Sequence, residues 1–105
     1  MGFNSLYTIE VLDKSKTLNE VLQEHDMGLS AAIIERVCYA IDNNIKKIDV
    51  AVVVLDLCDI TLHSSYKDFE STLESNMNKL IEYEQYEMCA VAKEHIEILK
   101  KQKTK

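Results

Sequence analysis

Residues 73–99 constrain the fold more than any other stretch, because they contain neither glycine nor proline and nothing in them forces the backbone out of a helix. Apolar residues recur at helical spacing in each half of this region, and residues 82–85 break the phase between the halves. The first set, which starts four residues before this region, is Phe69, Leu73, Met77 and Leu80, and the second is Tyr86, Cys89, Ala92, Ile96 and Leu99. We therefore predict two helices, joined by a tight turn at 82–85, whose apolar faces pack on each other.

The order of residues in this stretch also follows a known pattern. Its matching positions are Leu73, Met77, Tyr86, Glu87, Cys89, Ala90, Ile96 and Leu99, and Lys93 and Glu94 stand where the pattern has Arg-Asp. This arrangement resembles the UVR motif, the helical hairpin of the B and C subunits of bacterial excision repair and of regulators of Clp-type chaperones. The resemblance covers about a quarter of the chain. It implies a hairpin that contacts proteins, pairs with a second hairpin into a four-helix unit, and carries no chemistry of its own.

Length and composition indicate one ordinary globular domain, residues 1–105, with 47% hydrophobic and 29% charged residues. We expect no membrane partner, because no apolar run approaches the roughly 18 to 20 residues of a membrane span and the N-terminus has no signal-peptide pattern. The three cysteines, Cys38, Cys58 and Cys89, are odd in number and widely spaced, which favours a reducing, cytoplasmic setting over a disulfide framework. The formal charge of −6 argues against nucleic acid as a direct partner.

The first part of the chain predicts a strand followed by two helices. Residues 5–12 alternate apolar and polar side chains, as a strand does. Thr17 and Glu20 have capping-box spacing at the start of a short helix, and Gly28 is expected just past the end of that helix. Ser30 is expected to cap a second, largely buried helix over residues 31–43.

Residues 48–63 allow two interpretations. The dense β-branched run at Val50 and Val52 to Val54 favours a strand that turns at residues 56–59 and returns as a hairpin. The alternative is a helix, because Ile45, Ile48, Val52, Leu55 and Leu62 also lie at heptad spacing. We prefer the strands.

The predicted fold class is therefore α+β. A small antiparallel sheet from residues 5–12 and 48–63 and two N-terminal helices form a body over residues 1–64. A C-terminal helical hairpin covers residues 65–102, and a basic tail of lysines occupies residues 100–105.

Candidate chemical groups do not form a recognisable site in the sequence. His25, His63 and His95 lie in different predicted elements without a partner at metal-ligand spacing, so we expect no metal. Asp56, Asp59 and His63 follow an apolar strand, but a polar turn explains them more simply than an acid–base pair. With two glycines the chain offers no phosphate loop and no nucleophile elbow. We therefore expect neither an enzyme nor a cofactor.

The last predicted helix carries a second apolar stripe in addition to the one that serves the hairpin, and this stripe must pack on the domain body or on another molecule. We predict a partner-binding surface made of Tyr86, Met88, Val91, Lys93, Glu94, His95 and Ile98. The leading hypothesis is a small adaptor or regulator that binds a protein or a second copy of itself. The alternatives are an acidic inhibitor of phage type, which blocks a nucleic-acid-binding or defence protein, and a small hydrolase.

Overall fold

The computed structural model describes residues 6–11, 15–55 and 58–103, and within these ranges the chain forms four helices and three strands. In chain order these are β1 (Tyr7–Glu10), α1 (Leu18–Glu24), α2 (Asp26–Asp42), β2 (Lys47–Val54), β3 (Asp59–Ser65), α3 (Tyr66–Glu82) and α4 (Tyr86–Lys103). The α+β class is confirmed, and the described parts of residues 48–63 form the strands β2 and β3 rather than a helix. Residues 56 and 57 of the predicted turn lie outside the described residues. Both ends of the predicted first strand, residues 5 and 12, lie outside the described ranges.

The sheet has the order β1-β2-β3 and is mixed. β2 and β3 pair antiparallel, as predicted, whereas β1 pairs parallel with β2. The prediction of an antiparallel sheet is therefore wrong for β1. The reason is the connection: α1 and α2 lie between β1 and β2 in the chain and form the long crossover that parallel neighbours require.

A bulge in β2 sets which side chains face the helices. The register of β2 against β3 shifts between Asp49 and Ala51. Ile48 and Val50 are buried before the shift, and Ala51 and Val53 are buried after it. One extra residue reverses the alternation of a strand. Ile48 and Val50, before the bulge, therefore belong to the main core, and Val53, after it, belongs to a smaller core.

The capping box of α1 is present as predicted. The Thr17 hydroxyl accepts a hydrogen bond from the Glu20 amide at 3.2 Å, and the Glu20 carboxylate accepts one from the Thr17 amide at 3.3 Å. These two bonds satisfy backbone donors that the first turn of a helix leaves without partners.

The junction between α1 and α2 differs from the prediction. α1 ends at Glu24, and α2 already begins at Asp26, so Ser30 is not its cap but a residue inside it with 1% exposure. Gly28 also lies within α2 and does not have a positive φ. A Cβ at this glycine would lie 2.6 Å from the Tyr7 hydroxyl oxygen. Gly28 therefore allows Tyr7 of β1 to pack closely against α2, and it does not end a helix.

The turn between α3 and α4 lies where the sequence places it. The Gln85 amide donates to the Leu80 carbonyl at 2.9 Å, and the Glu84 amide donates to the Ile81 carbonyl at 3.0 Å. This is the Schellman arrangement. It puts Glu84 in the left-handed region, with φ of 59°. The hairpin also starts where it was predicted to, at residue 65, because Ser65 is the extended N-cap of α3.

The main core lies where α2, α3 and α4 pack on one another and on β2. Leu73 and Leu80 of α3, and Ala92 and Leu99 of α4, have no exposed surface. A smaller core around Ile9, Val21 and Val53 joins α1 to the sheet. Most members of the two predicted facing stripes are therefore core residues, but Met77 is half-buried and the prediction is wrong for Tyr86, which is 61% exposed at the start of α4. The remaining faces of α3 and α4 are available for contacts.

Candidate protein-contact surface

The structure divides the predicted partner-binding residues of α4 into three groups. Tyr86 and Val91 are exposed, at 61% and 38%, and Lys93 and Glu94 are exposed beside them. Met88 and Ile98 are half-buried against the main core. His95 is buried, with 8% exposure. The predicted stripe is thus shared between the surface and the domain body.

The buried side of this stripe faces α2. His95 Nε2 lies 3.0 Å from Asp42 Oδ1 at the end of α2, and His95 Nδ1 lies 2.8 Å from the Val91 carbonyl oxygen. This contact holds α4 on the body at a position that a partner does not reach directly. The second stripe therefore packs in part on the body, one of the two outcomes that the sequence allowed.

Four large apolar side chains are exposed near the turn of the hairpin. We name this surface the tip patch, and its members are Ile81 (45% exposed), Tyr83 (43%), Tyr86 (61%) and Val91 (38%). Ile81 and Tyr83 were absent from the predicted set. The available signal was their position: both lie out of phase with the apolar stripe of α3, directly after its last buried residue, Leu80.

A groove runs from the tip patch along the outer side of the hairpin between α3 and α4. Its volume is about 680 Å³, and Met77, Ile81, Tyr86, Ala90 and Ile96 contribute to its floor and walls. A second depression of about 450 Å³ lies beside it against Tyr86, Met88 and Val91. The tip patch therefore lies beside two depressions, and an apolar side chain of a partner can enter them.

Both signs of charge border the groove. Glu74 and Glu97 carry negative charge there, and Lys93 and Lys100 carry positive charge. Around the turn, Glu82, Glu84 and Glu87 are all exposed and carry negative charge. An apolar centre with a charged border is the usual composition of a protein-contact surface.

One side of the tip is tied to α2. The Asp26 carboxylate accepts a hydrogen bond from the Tyr83 hydroxyl at 3.1 Å and lies 3.2 Å from Lys79 Nζ. The hydrogen bond to Asp26, with smaller contributions from desolvation and neighbouring carboxylates, raises the pKa of Tyr83 above its ordinary value of 10.0. Tyr83 is therefore oriented towards the body, whereas Tyr86 extends from the surface.

The structure does not bring the candidate chemical groups together. Asp59 and His63 both lie on β3, four residues apart, or about 13 Å along a strand, and Asp56 lies outside the described residues. Among the described residues, no group of three or more His, Cys, Asp or Glu side chains is arranged to hold a metal ion. Burial first, and then the nearby carboxylates of Asp42, Glu94 and Glu35, raise the pKa of the Cys38 thiol to about 12, so this cysteine is a poor nucleophile.

Comparisons of the chain with protein-family models, with curated proteins and with solved structures found no match. In the part of the chain that the structure describes, none of the helices has the combination of length and apolar character needed to cross a bilayer. The candidate site is therefore defined by geometry alone, through the groove and the tip patch of the helical hairpin.

Proposed function

We propose that this chain is a non-enzymatic protein-interaction module that binds a helical segment of a partner, or of a second copy, along the groove between α3 and α4. The observation that carries the proposal is the tip patch, which consists of four large exposed apolar side chains. Ile81 and Tyr86 line the groove, and Val91 lines the depression beside it. Such groups are favoured at the buried centre of interfaces, and contiguous apolar surface on a monomer marks contact sites.

The resemblance to the UVR motif supports the same function. Leu73 and Leu99, which match its apolar positions, and Cys89, which stands at its pair of small residues, are core residues of the hairpin. Tyr86, which matches the aromatic position, lies exposed at the start of α4. The family's hairpins contact other proteins, and this chain offers a hairpin of the same spacing with an exposed aromatic residue. A reducing compartment such as the cytoplasm suits the free cysteines Cys38, Cys58 and Cys89.

Val91→Glu tests the proposal, because it places a charge in the tip patch at a side chain that is 38% exposed. We expect the variant to keep the stability of the wild type but to lose self-association in light scattering, or to lose proteins that the wild type captures. Ser75→Glu is the matched control, since Ser75 is exposed on α3 and does not line the groove. A Val91→Glu variant that is stable, unchanged in mass and still competent to bind would contradict the proposal.

The second candidate function is an acidic inhibitor that imitates nucleic acid. It is favoured by one observation, the three exposed glutamates Glu82, Glu84 and Glu87 around the tip. Salt separates the two functions: charge mimicry predicts that binding weakens steeply as ionic strength rises, whereas apolar packing of helices predicts a weak dependence. Replacing all three glutamates with glutamine should abolish binding only under the second function.

A further inference from the structure

The strand β3 forms an open edge of the sheet. It is the last strand in the order β1-β2-β3, and it is seven residues long, from Asp59 to Ser65. Natural edge strands are usually protected from pairing with another chain by lysine, by proline or by a bulge. β3 contains neither lysine nor proline, and the register shift of the β2–β3 pair lies in β2. The edge of β3 is therefore long and regular.

Hydrogen bonds at the two ends of the β2–β3 pair show which backbone groups face this edge. The Leu55 amide donates to the Cys58 carbonyl at 2.9 Å, and the Tyr66 amide donates to the Lys46 carbonyl at 2.7 Å. Hydrogen-bonded and non-hydrogen-bonded pairs alternate along antiparallel strands. Counting from either end gives the same result: the odd-numbered residues of β3 direct their amide and carbonyl groups away from β2. The first three of these residues are Asp59, Thr61 and His63.

The side chains of β3 point to two different faces of the sheet. Ile60 and Leu62 are half-buried against the smaller and the main core, respectively, and the Ser64 hydroxyl lies 3.3 Å from that of Thr72 on α3. α3 therefore lies over this face and not along the edge. The odd-numbered residues 59–63 are exposed on the other face. A strand added at the edge would thus meet apolar side chains on one face and polar side chains on the other.

We propose that β3 pairs antiparallel with β3 of a second copy of this chain, around a two-fold axis that passes beside Thr61. In this register, Thr61 of one copy lies opposite Thr61 of the other. Asp59 lies opposite His63, and Ile60 lies opposite Leu62. The outward amide and carbonyl groups then gain partners, because the odd-numbered residues form the hydrogen-bonded pairs between the two copies. This inference goes beyond the proposed function, because it uses the sheet and not the helical hairpin.

The complementarity of β3 with itself is the reason to infer a second copy as the partner. The register sets the carboxylate of the strand opposite its imidazole, which can donate an N–H group to it. It also gives a threonine pair on the exposed face and an apolar pair on the other, and both kinds of cross-strand pair are favourable. Moving the axis by one residue, to Leu62, would instead place Ile60 opposite Ser64. The pairing at Thr61 therefore matches side chains on both faces.

Thr61→Lys tests the proposal without disturbing the fold of one copy, because the Thr61 side chain is exposed and its amide points away from β2. At the axis, the substitution places two lysines opposite each other, with Cα atoms about 5.5 Å apart. A contact made by one pair of strands is small, so we expect a dissociation constant of the wild type in the micromolar range. In Thr61→Lys this constant should rise about tenfold or more.

Sedimentation equilibrium over a series of protein concentrations measures both constants, and circular dichroism checks that the variants are folded. Thr8→Lys is the matched control, because it makes the same change of charge at an exposed threonine on β1, the other edge strand, and should dimerise as the wild type does. A wild type that stays monomeric, or a Thr61→Lys variant that dimerises as strongly as the wild type, would overturn the proposal. Dimerisation that Val91→Glu abolishes and Thr61→Lys leaves intact would also overturn it, because self-association would then belong to the tip patch.

Cysteine cross-linking tests the register separately, and it decides the question if Thr61→Lys does not fold. The background is Cys58→Ser, because Cys58 is an exposed thiol next to β3. In this background, Thr61→Cys should form disulfide-linked dimers under mild oxidation, since its two copies meet at the axis. His63→Cys should not, because its two copies lie about 13 Å apart along the strands. Equal cross-linking of the two variants, or none in Thr61→Cys, would overturn the proposed pairing.

Discussion

Replacing Leu80 with alanine tests the packing of the hairpin directly, because Leu80 has no exposed surface in the main core. The substitution removes three carbon atoms, which corresponds to roughly 2.4 kcal/mol at about 0.8 kcal/mol for each buried methylene. The cavity left behind adds to this loss, so we expect a total of about 2.5–4 kcal/mol. A domain of this length has a free energy of unfolding on the order of 5–15 kcal/mol, and the variant should therefore fold with reduced stability.

Urea denaturation followed by circular dichroism measures this loss, and the next residue supplies the control. Ile81 lies on the same helix but is 45% exposed in the tip patch, so Ile81→Ala should cost less than about 1 kcal/mol. The Schellman hydrogen bond to the Leu80 carbonyl involves the backbone and is kept in both variants. Losses of equal size for the two variants would refute the assignment of Leu80 to the core and of Ile81 to the surface.

Three further predictions concern backbone geometry and a buried thiol. Glu84→Gly should stabilise the protein by roughly 0.5–1 kcal/mol in denaturant titration, because Glu84 has a φ of 59° and glycine adopts that region without strain. A loss of stability would contradict this reason. Gly28→Ala should change the free energy of unfolding more favourably, by about 1 kcal/mol, in a Tyr7→Phe background than in the wild type, because the added Cβ lies 2.6 Å from the Tyr7 hydroxyl oxygen. A double-mutant cycle that shows no coupling between the two substitutions would contradict this prediction. Burial raises the pKa of Cys38 from 9.0 to about 12 in the folded state. The stability that the neutral thiol gives the folded protein is therefore complete below pH 9 and is lost as pH rises towards 12. The wild type should therefore lose roughly 1 kcal/mol more than Cys38→Ala between pH 9 and 10, with Cys58→Ala as an exposed control, and equal losses for the wild type and Cys38→Ala would count against it.

Elements whose signals are local could be predicted from the order of residues alone. The capping box at Thr17 and the start of α3 after Ser65 depend on hydrogen bonds and backbone preferences within a few residues. The hairpin turn depends on a break in apolar phase at residues 82–85, and the strands at 48–63 depend on a dense β-branched run. Each of these signals comes from residues that are close together in the sequence, so it can be recognised without the tertiary structure.

The sequence misjudged the positions where a distant segment changes the local outcome. Gly28 and Ser30 have the residue types of helix ends, yet both lie inside α2. Gly28 leaves room for the side chain of Tyr7 on β1, and Ser30 is buried in the folded protein. The parallel pairing of β1 likewise depends on the path of the chain through two helices, which no alternation pattern in residues 5–12 records.

The candidate site shows the same division. Helical spacing placed Met88, Val91, His95 and Ile98 on one side of α4, and this placement needs only the geometry of a single helix. Which of them meet solvent was decided by the packing of α2, which buries His95 against Asp42, whereas Val91 is exposed. Exposure is a property of the whole assembly of helices, because a side chain is buried only when another element lies over it. The periodicity of one helix therefore identifies its apolar side, and the tertiary structure alone decides which part of that side is free to bind.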